Sequence, residues 1–154
     1  MNARYTARSI AQALLFGLLL SLVGSLAVAD TSRDFGDYVI RCKVMPSMDL
    51  DPAIAERLSV PRDPNTGILN IAVMEKTGDD AMGRAAQSDI SAHWRDLDGM
   101  MGTIAFREIR DRDSIFYIGQ FDLPGSVMIT FDVLVQVDDS RPPYSLSFNK
   151  AISE

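Results

Sequence analysis

The chain has 154 residues, 47% of them apolar, with 15 basic and 21 acidic side chains and a net charge of −6. No basic stripe interrupts this acidic balance, so a nucleic-acid partner is excluded and anionic lipid is disfavoured. One cysteine and one histidine exclude an internal disulfide and a zinc site of the usual ligand count.

The N-terminus reads as a targeting segment. Arg4 and Arg8 form a basic region, Ile10–Val23 is almost wholly apolar, and Gly24 and Ser25 break the helix before Ala27-Val28-Ala29, an A-x-A cleavage pattern. The apolar run is shorter than the ~20 residues that a bilayer needs, and no basic stop-transfer cluster follows. Residues 1–29 are therefore expected to be a signal peptide cleaved after Ala29. Cys42 lies too far from the apolar run to be a lipidation site. Loss of Arg4 and Arg8 leaves Asp30–Glu154, 125 residues with 13 basic and 21 acidic groups, a net charge of −8. That length suits a single soluble domain, exported and without membrane attachment. A lone cysteine in an oxidising compartment means that the core, not bridges, holds the fold.

Asp30–Asp34 reads as a polar lead-in. Asp37–Val44 is the first strand, with Tyr38, Ile40, Cys42 and Val44 inward, which makes Cys42 a buried thiol. Pro46 ends it. Asp51-Pro52 opens a short helix through Leu58, since Asp is a good N-cap and Pro fits the first helical position. Pro61, Pro64 and Asn65-Thr66-Gly67 form a turn-rich connection. Gly67–Lys76 is apolar on both faces, as in a strand near the middle of a sheet. Arg84–Arg95 alternates, with Trp94 in the core phase and His93 opposite. Asp96–Gly102 is a loop.

Three strands follow, Thr103–Arg110, Ser114–Leu123 and Val127–Val137. The last alternates strictly, Val127, Ile129, Phe131, Val133, Val135 and Val137 against Met128, Thr130, Asp132, Leu134 and Gln136. Arg141-Pro142-Pro143 forces an extended lead-in to Tyr144–Ile152. The pattern predicts an all-β fold: a two-sheet antiparallel β-sandwich of immunoglobulin-like build, about seven strands with one short helical insert. A small closed barrel is the alternative.

Several segments carry a family likeness. They are Phe35-Gly36-Asp37-Tyr38-Val39, Pro52 to Ala55, Gly67-Ile68-Leu69-Asn70-Ile71-Ala72-Val73, Phe106-Arg107-Glu108-Ile109-Arg110 with Ile115, Tyr117 and Ile118, and Arg141-Pro142-Pro143-Tyr144 with Leu146 and Phe148. In this order they resemble a family of small exported proteins of Gram-negative bacteria, domain of unknown function 4426. The resemblance spans nearly the whole chain after the leader. It implies a periplasmic address and a β-sandwich, and no activity. The chain departs from the family where Arg41-Cys42-Lys43 replaces a His-Tyr-Asn run, Asp49 an aromatic residue, and Ala53 a Glu.

The residues offer little catalysis. No G-x-S-x-G occurs, and any triad would need His93, whose phase opposes that of Cys42. The acidic pairs Asp49-x-Asp51, Asp79-Asp80, Asp96-x-Asp98-Gly99 and Asp111-x-Asp113 read as turn aspartates rather than a calcium loop. No cofactor and no metal is expected. The unusual feature is Arg107-Glu108-Ile109-Arg110, where the phase set by Ile104 and Phe106 turns Glu108 and Arg110 inward. Either a bulge shifts the phase, or Glu108 pairs with an arginine at the end of the sheet. The expected role is non-catalytic: a periplasmic binding or accessory protein acting on another envelope component through a sheet face or edge. The alternative is a small-ligand carrier or a carboxylate/arginine enzyme, with Arg107, Glu108, Arg110, Asp37 and Tyr38 as candidate ligand-binding residues.

Overall fold

In the computed structural model, residues 31–78, 80–123, 125, 127–139 and 141–152 are described; residues 1–29, expected to be a signal peptide, lie outside them. The alternation dictates two antiparallel sheets. The strands are β1 (Thr31–Asp34), β2 (Tyr38–Pro46), β3 (Thr66–Thr77), β4 (Asp80–Ala85), β5 (Asp89–Asp96), β6 (Met101–Ile104), β7 (Phe106–Asp111), β8 (Ser114–Asp122), β9 (Val127–Gln136) and β10 (Tyr144–Ile152). The larger sheet runs β1-β2-β3-β8-β7, with β4 paired to the far half of β3, and the smaller runs β10-β9-β5-β6.

Two of the expected strands divide because each serves both sheets. Arg84–Arg95 becomes β4 in the larger sheet and β5 in the smaller, crossing at Ala86–Ser88. Thr103–Arg110 becomes β6 and β7, crossing at Ala105. Gly119 on β8, opposite Phe106, makes the second crossing possible: a β-carbon there would run into the Ile104 side chain and crowd the Phe106 ring. The polar lead-in adds β1, which pairs with β2 from Thr31↔Cys42 to Asp34↔Val39. Its polarity suits an edge strand with little side-chain burial.

The core lies between the sheets. Ile40, Leu69, Ile71 and Val73 of the larger sheet and Ile129, Phe131, Val133 and Val135 of the smaller are almost fully buried. Phe121 meets Phe131 edge-on at 5.1 Å and Trp94 at 6.2 Å, joining the layers through aromatic contacts. Cys42 is buried at 1% exposure, as its phase predicts.

Helix α1 (Pro52–Arg57) lies outside the sandwich. Asp51 Oδ1 accepts from the Ala53 and Ile54 N–H groups at 2.9 and 3.3 Å, with Pro52 in the first turn. Leu58 closes the helix rather than extending it. Ser59 follows with φ 50°, its N–H bonded to the Glu56 carbonyl and that of Val60 to the Ala55 carbonyl, both at 2.9 Å. This is a Schellman ending with serine where glycine is usual.

Candidate functional site

Pairing between β7 and β8 is continuous from Phe106↔Gly119 to Asp111↔Ser114, so no bulge intervenes and the inward phase continues. Glu108 and Arg110 stand on the core-facing side, where the smaller sheet no longer covers them. Arg110 Nε donates to Glu108 Oε1 at 2.5 Å, with 55% of the arginine and 30% of the glutamate side chain exposed. Exposure resolves the cost of charge on an inward phase. The Tyr117 hydroxyl donates to Glu108 Oε2 at 3.2 Å and accepts the buried Ser88 N–H at 2.7 Å. Burial is the main cause that pushes the Tyr117 hydroxyl above its ordinary value.

The other sequence candidates do not join this pair. Arg107 points to the opposite face of β7, where its Nη2 donates to the Leu58 carbonyl and holds the end of α1 against the sheet. Asp37 Oδ2 accepts from Arg141 Nη1 at 3.0 Å. Tyr38 packs beside Tyr144 at 5.8 Å, and Phe35 beside Tyr144 at 4.9 Å. These groups tie the starts of β2 and β10 together. The strands β3 and β8 separate β2 from β7, a span of roughly 14 Å at ordinary strand spacing.

The outer face of the larger sheet is a different surface. Lys43, Asn70, Ile118 and Arg107 stand side by side across β2, β3, β8 and β7. Beside that row lie Arg41 with Ala72, and Phe116 with Ile109. A cleft of about 220 Å³ opens between α1 and the sheet, lined by Ile54, Leu58, Ile68, Ile109, Phe116 and Ile118 among others. A second cleft of about 310 Å³ is lined by Arg41, Lys43, Ala72, Met74, Ser114 and Phe116 among others. Asn70 and Phe116 line both. The Asn70 Oδ1 atom is buried with no hydrogen-bond partner. Sequence reasoning saw the two-sided apolar character of β3 but not Asn70, Arg41 or Lys43 as a set. Their alternation with Cys42 and Leu69 was the available signal.

The outer face of the smaller sheet is polar. Thr103, His93, Asp132 and Ser147 form a row across β6, β5, β9 and β10. Ser147 Oγ donates to Asp132 Oδ1 at 2.7 Å, and Arg95 Nη1 to Oδ2 at 3.0 Å. Thr103 Oγ1 lies 3.2 Å from His93 Nδ1. The serine is thus bonded to the carboxylate instead of the imidazole, which is not the order that activates a nucleophile. Cys42 lies in the other sheet, and burial pushes its thiol up to about 12, so it carries little thiolate at neutral pH. Asp96 Oδ1 accepts the Met100 N–H at 2.8 Å, closing the β5–β6 turn. Among the described residues, no helix is long and apolar enough to cross a membrane, and no group of three or more His, Cys, Asp or Glu could hold a metal ion.

The chain is similar in structure to a DUF4426 family protein of Pseudomonas aeruginosa PAO1, with TM-score 0.68 and 25% identity over 80% of this chain and 94% of the other. It also resembles a copper-bound variant of FetP from uropathogenic Escherichia coli strain F11, with TM-score 0.58 and 12% identity over 80% and 94%. FetP of the same strain, expressed recombinantly in the periplasm of E. coli, gives TM-score 0.57 and 13% identity over 81% and 94%. At that identity the FetP likeness is one of fold. No curated protein matches the chain. The profile of the family described as Domain of unknown function (DUF4426) matches residues 32–153, and the chain belongs to that family.

Proposed function

We propose that the protein is an exported, periplasmic, non-catalytic binding protein that engages another envelope component through the outer face of its larger sheet. The observation that carries this reading is the pair of clefts both lined by Asn70, partly apolar and partly cationic. Soluble chains rarely leave such a surface without use. The side chains of Arg41 and Lys43 have no ion-pair or hydrogen-bond partner among the described residues, in a chain of net charge −6. The export half of the reading rests on Arg4, Arg8, Ile10–Val23 and Ala27-Val28-Ala29. It predicts a processed protein whose intact mass corresponds to residues 30–154.

A copper centre built from imidazole and thiolate does not fit the placement of these groups in the chain. His93 stands on the outer face of the smaller sheet and Cys42 is on the core side of the larger one. A copper site built from imidazole or thiolate needs such groups together. The second reading, a small-ligand carrier or a carboxylate/arginine enzyme at Arg107 and Glu108, is favoured by the contact between Tyr117 and Glu108. It is weakened by Arg107 lying on the opposite face.

The test is paired capture from the native envelope, with the wild-type protein and with Arg41→Glu/Lys43→Glu as baits. The reading expects a component retained by the wild type and lost by the variant. Equal retention by both would remove the outer face from the account.

A further inference from the structure

We infer that the occupant of the two clefts is a single-chain aliphatic carboxylate, a free fatty acid. This rests on the outer-face reading and narrows it to a ligand class. The cleft beside α1 has an apolar wall of Ile54, Leu58, Ile109 and Ile118, suited to a hydrocarbon chain. The neighbouring cleft has Arg41 and Lys43 on its wall and no acidic residue. Both cations lack a partner among the described residues. Asp111 and Arg57 line the other cleft, beside α1, so the two unpaired cations make the Arg41/Lys43 wall the place that favours an anion.

Asn70 lines both clefts, and its buried Oδ1 has no donor. The amide Nδ2 makes no hydrogen bond and is not buried like Oδ1, so it can donate to a carboxylate oxygen in the cleft, and the same carboxylate can reach Lys43, its cross-strand neighbour. The chain of the acid then runs over Phe116 toward α1. An apolar ligand alone would leave both the amide and the cations unmatched. An anion alone would leave the apolar wall empty.

The experiment is calorimetric titration of the protein, purified as the cell processes it, with dodecanoate below its micelle concentration. Saturable one-to-one binding is expected. Arg41→Glu/Lys43→Glu should weaken it about tenfold or more, since two attractions become repulsions. Ile54→Glu, at an exposed helix position, should weaken it similarly by placing a charge against the chain. Asn70→Leu should weaken binding severalfold while leaving thermal stability equal or higher, whereas a purely structural asparagine would lower stability and leave binding alone. Absence of saturable dodecanoate binding overturns the inference, as does binding to anionic vesicles in place of the free acid. If dodecanoate fails while the Arg41/Lys43 variant still loses its envelope partner, the fatty-acid inference falls and the outer-face reading stands. If the variant loses neither, both fall.

Discussion

The backbone N–H of Ser88 donates to the Tyr117 hydroxyl at 2.7 Å, joining the point where the chain passes from the larger to the smaller sheet to strand β8. The same hydroxyl donates to Glu108, so one tyrosine anchors a crossing and positions the charge pair at the sheet's end. Tyr117→Phe leaves the Ser88 N–H buried without an acceptor. It should lower stability by about 1–3 kcal/mol in urea unfolding with an unchanged slope. Glu108→Ala should cost less, about 0.5–1 kcal/mol, because its pairing with Arg110 is partly solvated. A larger loss for Glu108→Ala than for Tyr117→Phe would reverse this order of importance.

Ser59 holds the left-handed position that ends α1. Glycine adopts that backbone without the clash of a β-carbon, so Ser59→Gly should raise stability by about 0.5–1 kcal/mol. A measured loss on thermal unfolding would mean that the serine side chain does something the backbone geometry does not reveal.

Gly102 lies opposite Trp94, and a β-carbon there would stand 2.6 Å from the indole nitrogen. Trp94 is buried at 4% exposure and has little room to yield. Gly102→Ala should therefore cost about 1–3 kcal/mol and alter the tryptophan emission of the native state. Native-like emission and stability would show that the indole moves freely.

Stability should fall in alkali through Cys42. Its thiol ordinarily titrates near 9.0, and burial in the fold pushes it up to about 12. The unfolded chain thus loses that proton first. The contribution of the neutral thiol is complete below about pH 9 and is lost as the pH rises toward 12. Tyr117 and Tyr38, also raised chiefly by burial, act in the same direction above pH 10. In urea unfolding at pH 7, 9 and 11, Cys42→Ala should start less stable but decline less steeply, by up to about 1.4 kcal/mol per pH unit. Parallel declines would contradict a buried neutral thiol.

How much of this was legible depends on which signal each residue obeyed. Period-two alternation gave β9, the inward set of β2 and the burial of Trp94 and Cys42, because a half-buried strand leaves no other arrangement. It could not show that Ala86–Ser88 and Ala105 are crossings, since a strand that changes sheets keeps its inside and outside phase throughout. The lead-in Asp30–Asp34 was too polar to announce β1, whose side chains bury little. The pairing of Glu108 was foreseen as one of two options, and unbroken register selected it over a bulge. Arg107, inside that motif, faces the other side of β7, and Asp37 and Tyr38, grouped with it as candidates from a different segment, are carried away by strand order. The outer-face set emerged only from the pairing of β2, β3 and β8, which is non-local and has no motif of its own.

The most direct test of the binding face is hydroxyl-radical footprinting of the captured complex against the free protein, read at methionine and phenylalanine. Met45, Met74 and Phe116 line the clefts of the larger sheet, while Met101 and Met128 are exposed on the smaller. The account predicts that oxidation of Met45, Met74 and Phe116 falls on binding while Met101 and Met128 react as before. Protection confined to Met101 and Met128 would contradict it.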